Sequence, residues 1–175
     1  MKQFRSALLL IFFAAFFIYS CEKPKVYTNT PVVTFKSISL YDSNDTLGNE
    51  EKKIVLTIFV EDGDGDIGLP EYDTIQAFKD LDNKNLFINL YQKIDGEFVK
   101  VDLPLPHNYR TPYLEPQGQE LLLRADIEVT FGYTKIFFPY DTFKYDFYLY
   151  DRAFNKSNIG ETPEIPVDTT GTFNL

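Results

Sequence analysis

The chain has 175 residues, 26 acidic side chains against 17 basic ones, a formal net charge of −9, one cysteine and one histidine. An acidic balance of this size repels nucleic acid and anionic membrane surfaces, which excludes both as partners. A lone cysteine excludes an internal disulfide, and a lone histidine leaves zinc chemistry without its usual ligands.

In chain order, the first element is an export signal. Lys2 and Arg5 precede an apolar run from Ala7 to Tyr19, which ends at Ser20-Cys21. A basic start, a short apolar core and a small residue before the break are the parts of such a signal. The run is shorter than the roughly 20 apolar residues of a membrane span. The segment Ile18-Tyr19-Ser20-Cys21 resembles a lipobox, in which the cysteine becomes the acylated first residue of the mature chain. Residues 1–20 are then expected to be a lipoprotein signal peptide, with Cys21 carrying the lipid, palmitate among its acyl chains; the alternatives are a plain cleaved secretory signal, which leaves Cys21 a stray thiol, and an N-terminal anchor that keeps the apolar run. Several acyl chains on one residue anchor a protein stably, where one binds marginally. Without Lys2 and Arg5 the remaining 155 residues hold 15 basic side chains against 26 acidic ones, a net charge of −11. Residues 21–31 read as the lipidated cysteine and a polar tether with Pro24 and Pro31.

From residue 32 onward period-two alternation dominates, and no long segment has helical period. Strands are predicted over 32–40, 53–60, 86–94, 97–103, 121–129, 143–150 and within 158–167. Asp95-Gly96 marks a tight hairpin between the third and fourth. One or two helical turns are expected in 73–81, a Pro-rich loop over 104–119, and a loose polar tail over 168–175. The expected core is Ile54, Leu56, Ile58, Ile88, Leu90, Leu123, Ile127, Tyr145, Phe147 and Leu149. About seven short strands in one domain predict an all-β fold, an antiparallel immunoglobulin-like β-sandwich over residues 32–167. The segment from Asp141 to Asp151 resembles the sixth strand (F) of such domains. Tyr145 would be the corner tyrosine whose hydroxyl bonds back to the backbone. Phe147 would stand opposite Leu56 or Ile58 of the second strand.

The second strand runs into Glu61-Asp62-Gly63-Asp64-Gly65-Asp66-Ile67-Gly68-Leu69. Carboxylates at every second position, separated by glycines, can turn their oxygens to one centre, and Ca²⁺ takes six to eight oxygen ligands. An EF-hand does not fit: its sixth position is Ile67 rather than Gly, its twelfth is Asp73 rather than Glu, and a strand flanks the loop. In an immunoglobulin-type topology the B–C and F–G loops leave the same end of the domain. This brings Asp62, Asp64 and Asp66 near Asp151 and Asn155, the expected ligands of one calcium ion. The alternatives are Asp-Gly turns with no metal, or Arg152 pairing with one of the acids.

The lipoprotein signal, the loop VEDGDGDIGL and the closing YDRAFNKSN resemble a group of Bacteroidota lipoproteins. These carry one immunoglobulin-like or cadherin-like domain and mostly lack an assigned function. The resemblance implies an inter-loop calcium role by analogy with cadherin-type sites. It also implies a place at the outer membrane. Surface display in that group follows an acidic run after the cysteine, and Cys21-Glu-Lys-Pro-Lys25 lacks one, so a periplasmic face is expected. The expected function is a noncatalytic binding or scaffolding module whose partner is an envelope protein complex or an exported polymer. The alternative is a glycan-binding accessory protein using Tyr109 and Tyr113, against which the absence of Trp counts. No enzyme is expected: His107 reads as an exposed loop histidine without a nucleophile beside it.

Overall fold

In the second predicted strand, Ile54, Leu56, Ile58 and Val60 alternate with Val55, Thr57 and Phe59, which a strand sends to opposite faces. The computed structural model, which describes residues 27–71, 76–114, 121–135 and 141–175, bears this pattern out. All four members of the first set are fully buried. They belong to strand β2 (Glu50–Asp62), which pairs on one side with β1 (Val32–Asn44) and on the other with β6 (Leu123–Thr134).

The remaining strands are β3 (Leu86–Ile94), β4 (Glu97–Lys100), β5 (His107–Tyr109), β7 (Thr142–Leu149), β8 (Gly160–Glu161), β9 (Ile165–Pro166) and β10 (Gly171–Asn174). Two antiparallel sheets result. One runs β10-β1-β2-β6 and the other β4-β3-β7-β8, with β5 also on β3 and β9 also on β7. The protein is thus an all-β sandwich. Its pairing order, β1-β2-β6 against β4-β3-β7-β8, is the A-B-E against C′-C-F-G order of an immunoglobulin-type Greek key. The β3–β4 hairpin turns on Asp95 (φ 50°) and Gly96 (φ 89°), the expected two-residue turn.

The core lies between the sheets. Leu40, Ile54, Leu56, Ile58 and Val60 of the first sheet face Leu86, Ile88, Leu90, Phe143, Tyr145, Phe147 and Leu149 of the second. Tyr145 is fully buried and donates to the Tyr133 hydroxyl at 3.1 Å. The corner where its backbone bond was expected, 136–140, lies outside the described residues, as does the signal peptide with Cys21.

Several expectations are corrected. The described residues form ten strands where about seven were expected. The Pro-rich loop contains β5, and the last expected strand is split into β8 and β9 around Pro163. The tail is not loose: β10 pairs with β1 from Gly171 opposite Leu40 to Asn174 opposite Ser37, so the sandwich extends past residue 167. Leu123 and Ile127 are only half-buried, because among the described residues β6 pairs on one side alone. The expected helical turns appear as a short 3-10 helix, Gln76–Leu81, with Phe78 buried. Finally, residues 27–31 are docked rather than free, since the carbonyls of Thr28 and Asn29 accept hydrogen bonds from the sandwich loops.

Candidate metal centre

The inward row of β2 continues one step past Val60 to Asp62, and the inward row of β7 continues past Leu149 to Asp151. Strand alternation therefore carries both carboxylates inside at the same end of the sandwich, one from each sheet. Asp62 is 1% exposed and Asp151 0%. The loop after β2 returns between them and adds Asp66. One carboxylate oxygen from each of Asp62, Asp66 and Asp151 lies within 4.8 Å of the others.

Local backbone contacts hold this shape. The Asp66 N–H donates to Asp62 Oδ2 at 2.9 Å. The Ala153 N–H donates to Asp66 Oδ2 at 3.1 Å, and the Arg152 N–H to the Asp66 carbonyl at 3.1 Å. Asp66 thus ties the B–C loop to the F–G loop. Gly63 allows a close approach: its N–H donates to the Thr28 carbonyl at 2.8 Å, and a Cβ there would stand 2.6 Å from that oxygen. Gly65 adopts φ 64°, where a side chain is strained.

Three carboxylate oxygens are left over. Asp62 Oδ1, Asp64 Oδ1 and Asp66 Oδ1 are each buried and accept no hydrogen bond. Buried acceptors are ordinarily satisfied, so three orphans in one loop call for a donor or a cation. The charges add to the tension. Burial, then the charge of Asp64, pushes the Asp62 carboxyl up to about 7. Burial, then Asp151 and Asp64, raises Asp66, with Arg152 opposing.

Of the five ligands expected from sequence, Asp62, Asp66 and Asp151 converge. Asp64 stands outside the close triad, although its orphaned Oδ1 belongs to the same loop. Asn155 lies against Asp151. Its backbone N–H and its Nδ2 donate to Asp151 Oδ1 and Oδ2 at 2.7 and 2.8 Å, so it positions Asp151. Among the described residues Arg152 forms no ion pair with these acids; its guanidinium donates to the carbonyls of Ile67 and Gly68 and lies 4.8 Å over the Tyr113 ring.

Sequence reasoning missed Thr28 and Asn29. Their polar side chains read as tether, yet their carbonyls receive Gly63 N–H and Asn155 Nδ2 from the two loops. A backbone contact of this kind leaves no side-chain signal. It also missed Asn85, buried behind the site. Asn85 Oδ1 accepts from the Thr111 N–H at 2.8 Å, and its Nδ2 donates to the Tyr150 carbonyl at 3.1 Å, bracing the start of the F–G loop.

His107 is likewise not the exposed loop residue expected. It lies half-buried on β5, stacked on Phe131 at 4.4 Å with Nε2 2.5 Å from the Tyr133 hydroxyl. Tyr109 is half-buried beside it, and Tyr113 is capped by Arg152.

An all-oxygen donor set on opposed strand ends is of the kind that suits a hard cation such as Ca²⁺. It offers no nitrogen or sulfur of the kind zinc prefers. Compared with protein-family models, with curated proteins and with solved structures, the chain matches none.

Proposed function

We propose that this chain is a lipid-anchored protein of the bacterial cell envelope, held at the outer membrane through Cys21 and facing the periplasm. Its sandwich is a noncatalytic binding or scaffolding module stiffened at one end by calcium. The observation that carries the metal is the set of orphaned oxygens on Asp62, Asp64 and Asp66, buried together beside Asp151. Asp62 ends a strand of one sheet and Asp151 follows a strand of the other. A cation between them would fasten the two sheets at this end, in a domain whose single cysteine leaves it without an internal disulfide. The partner would be an envelope protein complex or an exported polymer.

Thermal unfolding of the full chain in detergent tests the metal. A ligand that binds only the folded state stabilises it by mass action, about 2.7 kcal/mol at a hundredfold excess over its dissociation constant. Calcium should raise the melting temperature, magnesium should not match it, and Asp62→Ala should abolish the response. Equal melting with calcium and with chelator would overturn the metal reading. Loss of membrane partitioning in Cys21→Ser tests the anchor separately.

A further inference from the structure

We propose that the end of the sandwich bearing the acidic loop is a membrane-apposed face that seats in the headgroup layer of a zwitterionic phospholipid bilayer. The proposal rests on the anchor at Cys21. Its second support is where the chain enters the fold. Thr28 and Asn29 are bonded to Gly63 and Asn155 at the acidic end, and Tyr27 meets Arg124 there. Six residue steps separate Cys21 from Tyr27, and six extended residues reach at most about 20 Å. The opposite end of the sandwich, at the β1–β2 turn, lies farther by the length of β2. A strand of 13 residues spans about 40 Å. The anchor therefore holds the acidic end close to the bilayer.

The side chains at that end suit an interface. Leu121 is 51% exposed, Leu114 and Tyr113 46% each, and Phe154 41%. Each is fastened to the same loops. The Leu121 carbonyl packs on Gly65, the Pro112 carbonyl before Tyr113 and Leu114 packs on Gly68, and Phe154 stacks on Tyr150 at 4.7 Å. Leu47 at 85% and Leu105 at 83% are exposed elsewhere, so what sets these four apart is their place beside the chain's entry at Tyr27.

This end carries acids as well as arginines, with Glu61, Asp64, Asp66 and Glu71 beside the inward Asp62 and Asp151. All three arginines among the described residues sit here. Arg110 donates to the Pro70 and Glu71 carbonyls, Arg124 pairs with Glu61, and Arg152 holds Ile67 and Gly68. Arg110 and Arg124 are exposed, whereas Asp62 and Asp151 are turned inward. Aromatic and long basic side chains favour the layer between water and hydrocarbon.

The chain contains no tryptophan, so one introduced residue is a unique reporter. Full-length acylated Leu121→Trp and Leu47→Trp, the latter in the turn at the opposite end and 85% exposed, are placed in calcium-containing vesicles of brominated phosphatidylcholine. Bromine on the acyl chains should quench Leu121→Trp several-fold more than Leu47→Trp. Phe154→Trp repeats the reading if Leu121→Trp does not fold. Equal quenching at both ends, or none at the acidic end, overturns the proposal while the anchor stands. A chain that fails to float with the vesicles overturns the anchor and the proposal together.

Discussion

Asp62 and Asp66 are bound to each other through one oxygen and left incomplete through another. Asp62 Oδ2 accepts the Asp66 N–H at 2.9 Å, while the Oδ1 of each residue is buried without a donor. Without a cation the ionised pair is costly, and beyond the opposing charge of Arg152 a proton is what relieves it. The folded-state value of Asp62, about 7, stands above the ordinary 3.8. A group raised on folding contributes stability that is full below its unfolded value and is lost as pH rises through the folded value. Metal-free protein should therefore be more stable toward urea near pH 5 than near pH 8, and calcium should shrink that difference. Asp62→Asn keeps an acceptor for the Asp66 N–H and removes the charge. It should flatten this part of the pH dependence and lose the calcium response. A variant that responds to calcium like the parent would refute the assignment.

Phe147 and Leu123 were both expected in the core, and the structure separates them. Phe147 is fully buried between the sheets, so Phe147→Ala should cost about 3–5 kcal/mol. Leu123 is half-buried on β6, which has one paired side among the described residues. Leu123→Ala should cost less than about 2 kcal/mol, below the range for fully buried leucines. Denaturant unfolding of the two variants checks the difference, and comparable losses would mean that β6 is covered.

Legibility depends on how each element is stabilised. The two alternating rows, Ile54 to Val60 and Phe143 to Leu149, are held by side-chain burial, and burial writes a period-two pattern. The same rows, extended one step, reach Asp62 and Asp151, so two of the three converging acids followed from the strand pattern and the shared loop end. β5 and β10 left almost no pattern. His107–Tyr109 has three half-buried residues, and Gly171–Asn174 is mostly exposed. Their pairing rests on backbone hydrogen bonds, which any residue except proline can donate. The role of Asn155 was illegible for a related reason. An amide offers both an acceptor and donors, and only the fold decides which faces Asp151.

His107 predicts a second pH effect of opposite sign. Tyr145 donates to the Tyr133 hydroxyl, which lies 2.5 Å from His107 Nε2, an arrangement suited to a neutral ring that accepts. Burial holds the His107 imidazole below its ordinary 6.5. The unfolded chain then takes up the proton first. This contribution is complete above about pH 6.5 and is lost as pH falls toward the lower folded value. With calcium present to quiet Asp62, stability should decline on acidification from neutral pH, and His107→Phe should flatten the decline. An unchanged slope in that variant would show that His107 does not couple to folding.

Removing β10 tests whether the tail is structural. Phe173 packs against the core opposite Ile38, Ser39 Oγ meets Thr172 Oγ1 at 2.8 Å, and the Leu175 N–H donates to the Lys36 carbonyl. The Thr169 carbonyl also accepts from Lys52, a buried cation at the other end of the inward row of β2, which Asp42 neutralises at 2.7 Å. A chain ending at Asp168 loses all of these except the Asp42 pair. The half-buried Phe173 and a few hydrogen bonds together should cost about 1–3 kcal/mol. The truncation also uncovers the outer edge of β1, whose unpaired N–H and C=O groups would then be a template for another strand. The shortened chain should unfold at lower denaturant and associate with concentration, read by light scattering. Unchanged unfolding and a monodisperse sample would mean that β10 rests on β1 without contributing to it.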